Sequence, residues 1–272
     1  MPDSGVVRAR SAIFDLFGGH LRRRGGAVTI AALVRLMEPL GFAGPAVRTA
    51  VSRTVRQGWL RPTRLPSGPG YALTPKAERR LDEAAGRIYR TRDWSWDGNW
   101  HLLVLTGVSD RHRRERIAAS LGLLGYGEVE PLVWVAPRPS PELPDLLTSE
   151  DLTAHAFLAA HQGSDRDLAG RAWDLVGLSR DYAAFVARWR PLAAAVDESR
   201  EPAAFAASQR LLHDWRKFLF RDPGLPPALL PADWTGHRAA ELFDGETARF
   251  APAADRYVER CLAAPPPALP TP

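Results

Sequence analysis

The chain has 272 residues, 45% of them hydrophobic and 25% charged, with a single cysteine and a formal net charge of +5. This composition excludes long disorder and a fibrous repeat, Cys261 alone excludes an internal disulfide or a multi-cysteine metal cluster, and the length argues for two or three domains. No apolar run reaches the length of a membrane span and MPDSGVVRAR lacks a signal-peptide core, so a cytoplasmic protein with no membrane partner is expected.

The charge is unevenly placed. Residues 1–92 hold 17 basic and 6 acidic side chains, a net of +11, whereas the remainder hold 19 and 25, a net of −6. A positive field confined to one third of the chain points to a polyanion partner for that part. Of the 36 basic residues only Lys76 and Lys217 are lysines, so the clustering of arginine is informative and its abundance is not.

In chain order, RSAIFDLFGGHLRRR over 10–24 places Ile13, Leu16, Phe17 and Leu21 at helical spacing, and Gly25-Gly26 stops the helix. A short helix follows Thr29, with Ile30, Leu33, Val34, Met37 and Leu40 on one face and Gly41 closing it. Pro45 suits the first turn of a third helix, PAVRTAVSRTVRQGWL. There Arg48, Thr49, Ser52, Arg53 and Arg56 share one face, and Val47, Ala50, Val51, Thr54 and Val55 share the other. Guanidiniums interleaved with hydroxyls suit phosphates and base edges; the competing reading of the same face is a solvated cationic surface.

Helix, short helix, tight turn and basic helix is the order of a helix-turn-helix, whose last element enters the major groove. LRPTRLPSGPGYALT then reads as strand, Pro/Gly tip and strand, a wing with Arg61 and Arg64 near its tip. Thr74-Pro75 begins another helix with an apolar stripe to about residue 90.

TRDWSWDGN reads as a junction, and WHLLVLTGV as a strand buried on both faces. Asp110 caps a helix to about Leu124, EVEPLVWVAP supplies another strand, PRPSPELPDL a loop and LTAHAFLAA a further strand. Ser164 to Asp167 forms a capping box before a helix carrying Leu168, Ala172 and Leu175. From Ser179 onward the pattern is helical, interrupted by RDPGLPPALLPADWTG, which reads as an ordered crossing loop. The expected fold is therefore α+β and multidomain: a winged helix-turn-helix over 1–92, a ferredoxin-like α+β domain over 93–176, a helical C-terminal domain over 177–264 and a disordered tail over 265–272.

RSAIFDLFGGHLRRRGG, AVRTAVSRTVRQGWL, YALT, RIY, WDGNW, FLFRDPGLP, ALLPADW and the glycine after its threonine together resemble the PaaX-like repressors of phenylacetic acid catabolism, in order across nearly the whole chain. The resemblance implies a homodimer that recognises an inverted-repeat operator in double-stranded DNA. Carried onto the matching helix, it implies that Arg48, Thr49, Ser52, Arg53 and Arg56 face DNA, with Arg48 and Arg53 foremost. It makes Arg61 and Arg64, with Arg22, Arg23 and Arg24, candidate phosphate contacts. In founding members phenylacetyl-CoA releases the repressor, so an aryl- or acyl-CoA thioester is the candidate effector. Its cavity is expected between domains, with Trp94, Trp96, Trp100, Trp173, Trp189 and Trp215 as candidate walls and Arg180, Arg188 and Arg190 as candidate phosphate contacts.

Two other functions compete. LLVLTGVSDRHRRERI resembles small CRISPR-associated nucleases with a ferredoxin-like fold, but Gly107 stands where their metal-binding carboxylate aligns, and helix capping accounts for Asp110. An RNA-binding regulator is the other alternative. His155 and His161 lack a ligand cluster, His213-Asp214 lacks a hydrolase scaffold, and no GxSxG, GxGxxG or phosphate-loop pattern occurs. A non-enzyme with no cofactor and no metal is expected.

Overall fold

The computed structural model describes residues 8–88, 95–108 and 110–264. The expected tail at 265–272 and the first four residues of the expected junction, 91–94, with Trp94 among them, lie outside the described residues. The fold is α+β, with two small antiparallel sheets of three and four strands. Met1–Thr91, Ala187–Trp215 and Ala240–Pro272 form one compact unit; Arg92–Val186 and Arg216–Ala239 form a second. The residues expected as a separate helical domain, 177–264, are thus divided between the two.

In the first unit, α1 (Ala9–Leu16) passes into a π turn over Phe17–Leu21 and a 3-10 turn over Arg22–Arg24, where one helix over 10–24 was expected. The departure falls on Gly18-Gly19. A Cβ on Gly19 would stand 3.1 Å from the Leu212 side chain and one on Gly18 3.4 Å from Leu81, so Leu212 packs tightly on the turn at Gly19.

β1 (Ala27–Thr29) ends at the residue that caps α2 (Ile30–Met37): the Thr29 hydroxyl accepts from the Ala32 N–H at 3.2 Å. Gly41, with φ +88°, closes the turn that follows, and α3 (Gly44–Arg56) carries Pro45 in its first turn. β2 (Leu60–Leu65) and β3 (Gly68–Leu73) form a hairpin, and β1 adds to β3 to give the order β1-β3-β2. β1 approaches so closely that a Cβ on Gly70 would lie 2.5 Å from the Val28 carbonyl oxygen. Thr74 caps α4 (Pro75–Ile88), its hydroxyl accepting from the Ala77 N–H at 3.3 Å.

The second unit is built on β4 (Asn99–Thr106), and α5 (Arg111–Leu123) follows it. EVEPLVWVAP is not one strand: it splits into β5 (Gly127–Glu130) and β6 (Val133–Ala136), which pair antiparallel. Pro131 has no N–H to give a ladder, and Leu132 turns the chain with φ +68°. The expected loop PRPSPELPDL leads into α6 (Leu143–Ser149), whose Pro144 sits in the first turn.

β7 (Thr153–Ala160) completes the sheet β5-β6-β4-β7, with Leu103 opposite both Trp134 and Ala156. α7 (Asp165–Ala172), capped by Ser164, stops where Trp173 turns extended, so Leu175 instead begins α8 (Leu175–Ala194), which supplies residues to both units. Leu103, Leu105, Ile117 and Leu143 cluster with α5 and α6; Trp100, Val135, Ala169, Leu175 and Leu225, Leu229 and Leu230 of the proline-rich crossing segment form a second cluster.

α9 (Glu201–Trp215) and α10 (Gly236–Ala263) return most of their length to the first unit. Phe205, Ala254, Tyr257, Val258 and Cys261 lie in the same buried cluster as Ile13, Leu36, Val47 and Val51. The Tyr257 hydroxyl donates to the Arg35 carbonyl at 2.9 Å, and the Arg35 guanidinium donates to the carbonyls of Cys261 and Ala264 at 2.8 and 2.9 Å, satisfying the end of α10. Among the described residues no single helix is long and apolar enough to cross a membrane.

Candidate nucleic-acid interface

α3 is divided lengthwise. Val47, Ala50, Val51 and Thr54 are buried and Val55 half-buried, while Arg48, Thr49, Ser52, Arg53 and Arg56 are all exposed. The one polar group on the inner seam is satisfied locally, the Thr54 hydroxyl donating to the Ala50 carbonyl at 2.8 Å. Val47 and Val51 are at most 1% exposed. Burying each stabilises the docked helix by about 1.5–3 kcal/mol, which fixes the rotation of α3 about its axis and holds the arginines outward. From Arg48 to Arg56 the row runs about 12 Å at 1.5 Å per residue.

Arg61 and Arg64 are both exposed on β2. Arg64 stands opposite Pro69 beside the tip, but Arg61 stands opposite Ala72, near the foot, so only one of the pair occupies the expected place. Three residues apart on a strand, they point to opposite faces and lie about 10 Å apart along it.

The Arg22, Arg23 and Arg24 cluster is dispersed. Arg22 pairs with Asp82; Arg24 donates to Asp255 at 2.9 Å, with Glu259 at 3.6 Å; Arg23 donates to the Gly19 carbonyl at 2.8 Å and is the only exposed residue of the three. Arg22 and Arg24 therefore tie α4 and α10 to the basic turn, and a phosphate would have to displace a carboxylate to reach either. His20 lies beside them, 3.3 Å from Asp255; burial outweighs that carboxylate and pushes its imidazole down to about 4.

Two cations at the foot of α3 escaped the sequence reading because they belong to other helices. Arg10 donates to Gln57 at 3.3 Å, and the Lys76 ammonium sits 5.4 Å from the centre of the Trp59 ring. Their only signal in the sequence is the general basicity of residues 1–92.

The residues weighed for catalysis do not assemble. Gly107 has φ +74°, and the Asp110 carboxylate accepts from the Arg113 N–H at 2.6 Å as a helix cap. His155 is exposed on β7, whereas His161 lies past its end, 3.6 Å from Asp165. His213 bonds not to Asp214 but to Asp15, at 2.7 Å; Asp214 accepts from Trp189 Nε1 at 3.0 Å. The candidate wall tryptophans divide: Trp96, Trp100 and Trp173 pack on one another in the second unit, while Trp189 and Trp215 belong to the first. Among the described residues no three His, Cys, Asp or Glu side chains converge on one point.

Three family models match in succession: PaaX-like protein over 8–77, the PaaX protein central Cas2-like domain over 93–169, and the PaaX-like protein C-terminal domain over 173–260. Over 266 residues the chain is 33% identical to transcriptional repressor PaaX of Escherichia coli strain K12, covering 93% of this chain and 83% of that one. The chain belongs to the PaaX-like family. An uncharacterized protein of Mycobacterium tuberculosis, Rv0674, has a similar structure, with a TM-score of 0.63 at 25% identity over 93% of this chain and 99% of that one. In this PaaX-like chain α2, α3 and the β2–β3 hairpin fall within the first family segment, and all four strands of the second sheet within the Cas2-like one.

Proposed function

We propose that this chain is a cytoplasmic, homodimeric transcriptional repressor that binds double-stranded DNA through α3 and the β2–β3 hairpin. The observation that carries the reading is the division of α3, with a buried valine seam behind and three exposed arginines in front. α1 to α3 followed by the hairpin have the order of a winged helix-turn-helix, and the β-α-β-β-α-β chain of the second unit, with strand order β5-β6-β4-β7, supports a ferredoxin-like domain. Arg48 and Arg53 serve as the first base or phosphate contacts, with Thr49, Ser52 and Arg56 along the same groove and Arg64 of the hairpin on the backbone. Two copies of α3 read an inverted repeat about one duplex turn apart, roughly 34–36 Å, or a multiple of it. An aryl- or acyl-CoA thioester releases the complex. The protein is not an enzyme, a reading supported by the helix-capping role of Asp110 and the glycine at 107.

Fluorescence anisotropy with duplexes from the promoters flanking its own gene tests this. Nanomolar binding at physiological salt is expected, with a loss of about 100-fold or more for Arg48→Glu/Arg53→Glu. Undiminished binding by that variant, a preference for single-stranded RNA, or magnesium-dependent strand cutting lost on changing Asp110 would each overturn the proposal.

A further inference from the structure

The chain passes from α3 to β2 through Gln57, Gly58 and Trp59 alone. Gly58, with φ +71°, donates its N–H to the Val55 carbonyl at 2.9 Å, and the Trp59 N–H donates to the Thr54 carbonyl at 3.1 Å. This left-handed glycine cap ends α3 and satisfies two of its last carbonyls. The carbonyls of Gly58 and Trp59 are met from the other foot of the hairpin by a single residue. The Thr74 hydroxyl donates to Gly58 at 2.8 Å, and the Thr74 N–H donates to Trp59 at 3.1 Å.

A hydroxyl has one proton to give and lone pairs to receive with. Thr74 uses both, because the same oxygen accepts from the Ala77 N–H at 3.3 Å as the cap of α4. The end of α3, the end of β3 and the start of α4 therefore meet at one side chain. Trp59 is held in turn, its ring edge-on to Phe14 with centroids 5.3 Å apart and its face 5.4 Å from the Lys76 ammonium. The feet of the hairpin are also paired at Leu60 and Leu73, both 2% exposed. That burial is non-directional, whereas a hydrogen bond from Thr74 to Gly58 constrains an angle.

The angle matters at the tip. Arg64 stands four residues beyond Leu60, about 13 Å at 3.3 Å per residue, so a tilt of about 10° at the foot displaces it by about 2 Å. A guanidinium–phosphate hydrogen bond keeps its length within about 0.5 Å. We infer that Thr74 is a positioning residue for DNA binding: by donating to the Gly58 carbonyl, its hydroxyl sets the hairpin against α3 and so brings Arg64 to a phosphate while α3 lies in the groove. The inference rests on the proposed DNA-binding role of α3 and the hairpin, and Thr74 acts through Arg64 rather than by contact.

Three substitutions separate this role from helix capping. Thr74→Ser keeps donor and acceptor, Thr74→Val loses both, and Thr74→Asp keeps the cap but has no proton for Gly58. Nitroxides on Ser52→Cys and Ser67→Cys, in a Cys261→Ala background of the full chain, report the distance from α3 to the tip by double electron–electron resonance. Unlabelled chain in excess confines the reading to pairs within one chain. Thr74→Val and Thr74→Asp are both expected to shift or broaden that distance by about 2 Å, and Thr74→Ser to leave it unchanged. Anisotropy with the flanking-promoter duplexes reads the consequence as a double-mutant cycle. Thr74→Val should weaken binding about tenfold in the wild-type background and no more than about twofold in an Arg64→Ala background, with Thr74→Ser within about twofold of wild type. A wild-type distance in Thr74→Asp, which capping alone would give, overturns the inference, and so does an equal loss from Thr74→Val in both backgrounds. A wild-type chain that binds no duplex sinks the proposed function and this inference together, whereas duplex binding that Thr74→Val leaves unchanged sinks the inference alone.

Discussion

The two hairpin arginines give a test that separates DNA contact from general basicity. Arg61 and Arg64 are both exposed and carry the same charge, but they project from opposite faces of β2. A duplex lying along one side of the hairpin meets only one of them, and Arg64, beside the tip, has the longer reach. With Arg48, Arg53 and Arg56 that makes four phosphate-neutralising guanidiniums per protomer. At about −0.9 in log K per log salt for each, the slope is roughly −3.6 per protomer and −7 for the proposed dimer. Between 50 and 200 mM salt the wild type should lose about 10⁴ in affinity. Arg64→Ala should reduce the magnitude of the dimer slope by about 1.8, whereas Arg61→Ala should leave it within about 0.5. Anisotropy titrations at four or five potassium chloride concentrations measure all three slopes. Both side chains are exposed, so neither substitution should move stability by more than about 0.5 kcal/mol. Equal reductions from the two variants, or a larger one from Arg61→Ala, would refute the reasoning.

Three further predictions concern the unit that carries α3. Gly70→Ala drives a methyl to within 2.5 Å of a backbone oxygen that cannot retreat without unpairing β1; a loss of about 3 kcal/mol is expected, read as a fall of about 6–12 °C in Tm by calorimetry. The His20 imidazole titrates at about 4 in the folded chain and at 6.5 ordinarily, so between those values the unfolded chain binds the proton and the folded one does not. Stability should therefore fall as pH drops from 6.5 towards 4. Denaturant unfolding at pH 7.5 and 4.5 should show the wild type losing about 2 kcal/mol more than His20→Gln, and equal losses would count against the buried neutral histidine. Tyr257→Ala removes a buried ring 5.1 Å from Phe205 and the bond to the Arg35 carbonyl; a loss of about 3–5 kcal/mol is expected from the same measurement.

What the sequence by itself determined was whatever depends on a few neighbouring residues. Caps at Thr29, Thr74, Asp110 and Ser164, the stop at Gly41 and the start at Pro45 lie where their chemistry puts them, because a cap and the N–H it satisfies are three residues apart. The two faces of α3 were legible for the same reason: a 3.6-residue period is local, and one buried seam suffices to turn it.

Tertiary structure alone decided the rest. Arg22 and Arg24 looked equivalent to the arginines of α3 until Asp82 and Asp255 arrived, 60 and 231 residues away. The glycine pair in the first helix lies in a π turn, where Leu81 and Leu212 leave little room for a Cβ. The apolar run over 128–137 gave no sign of its break beyond Pro131, and no local pattern could place Tyr257 and Val258 in the core of a unit that begins at the opposite end of the chain. Each of these outcomes is set by a partner distant in sequence, and periodicity carries no information about which distant partner a side chain will meet.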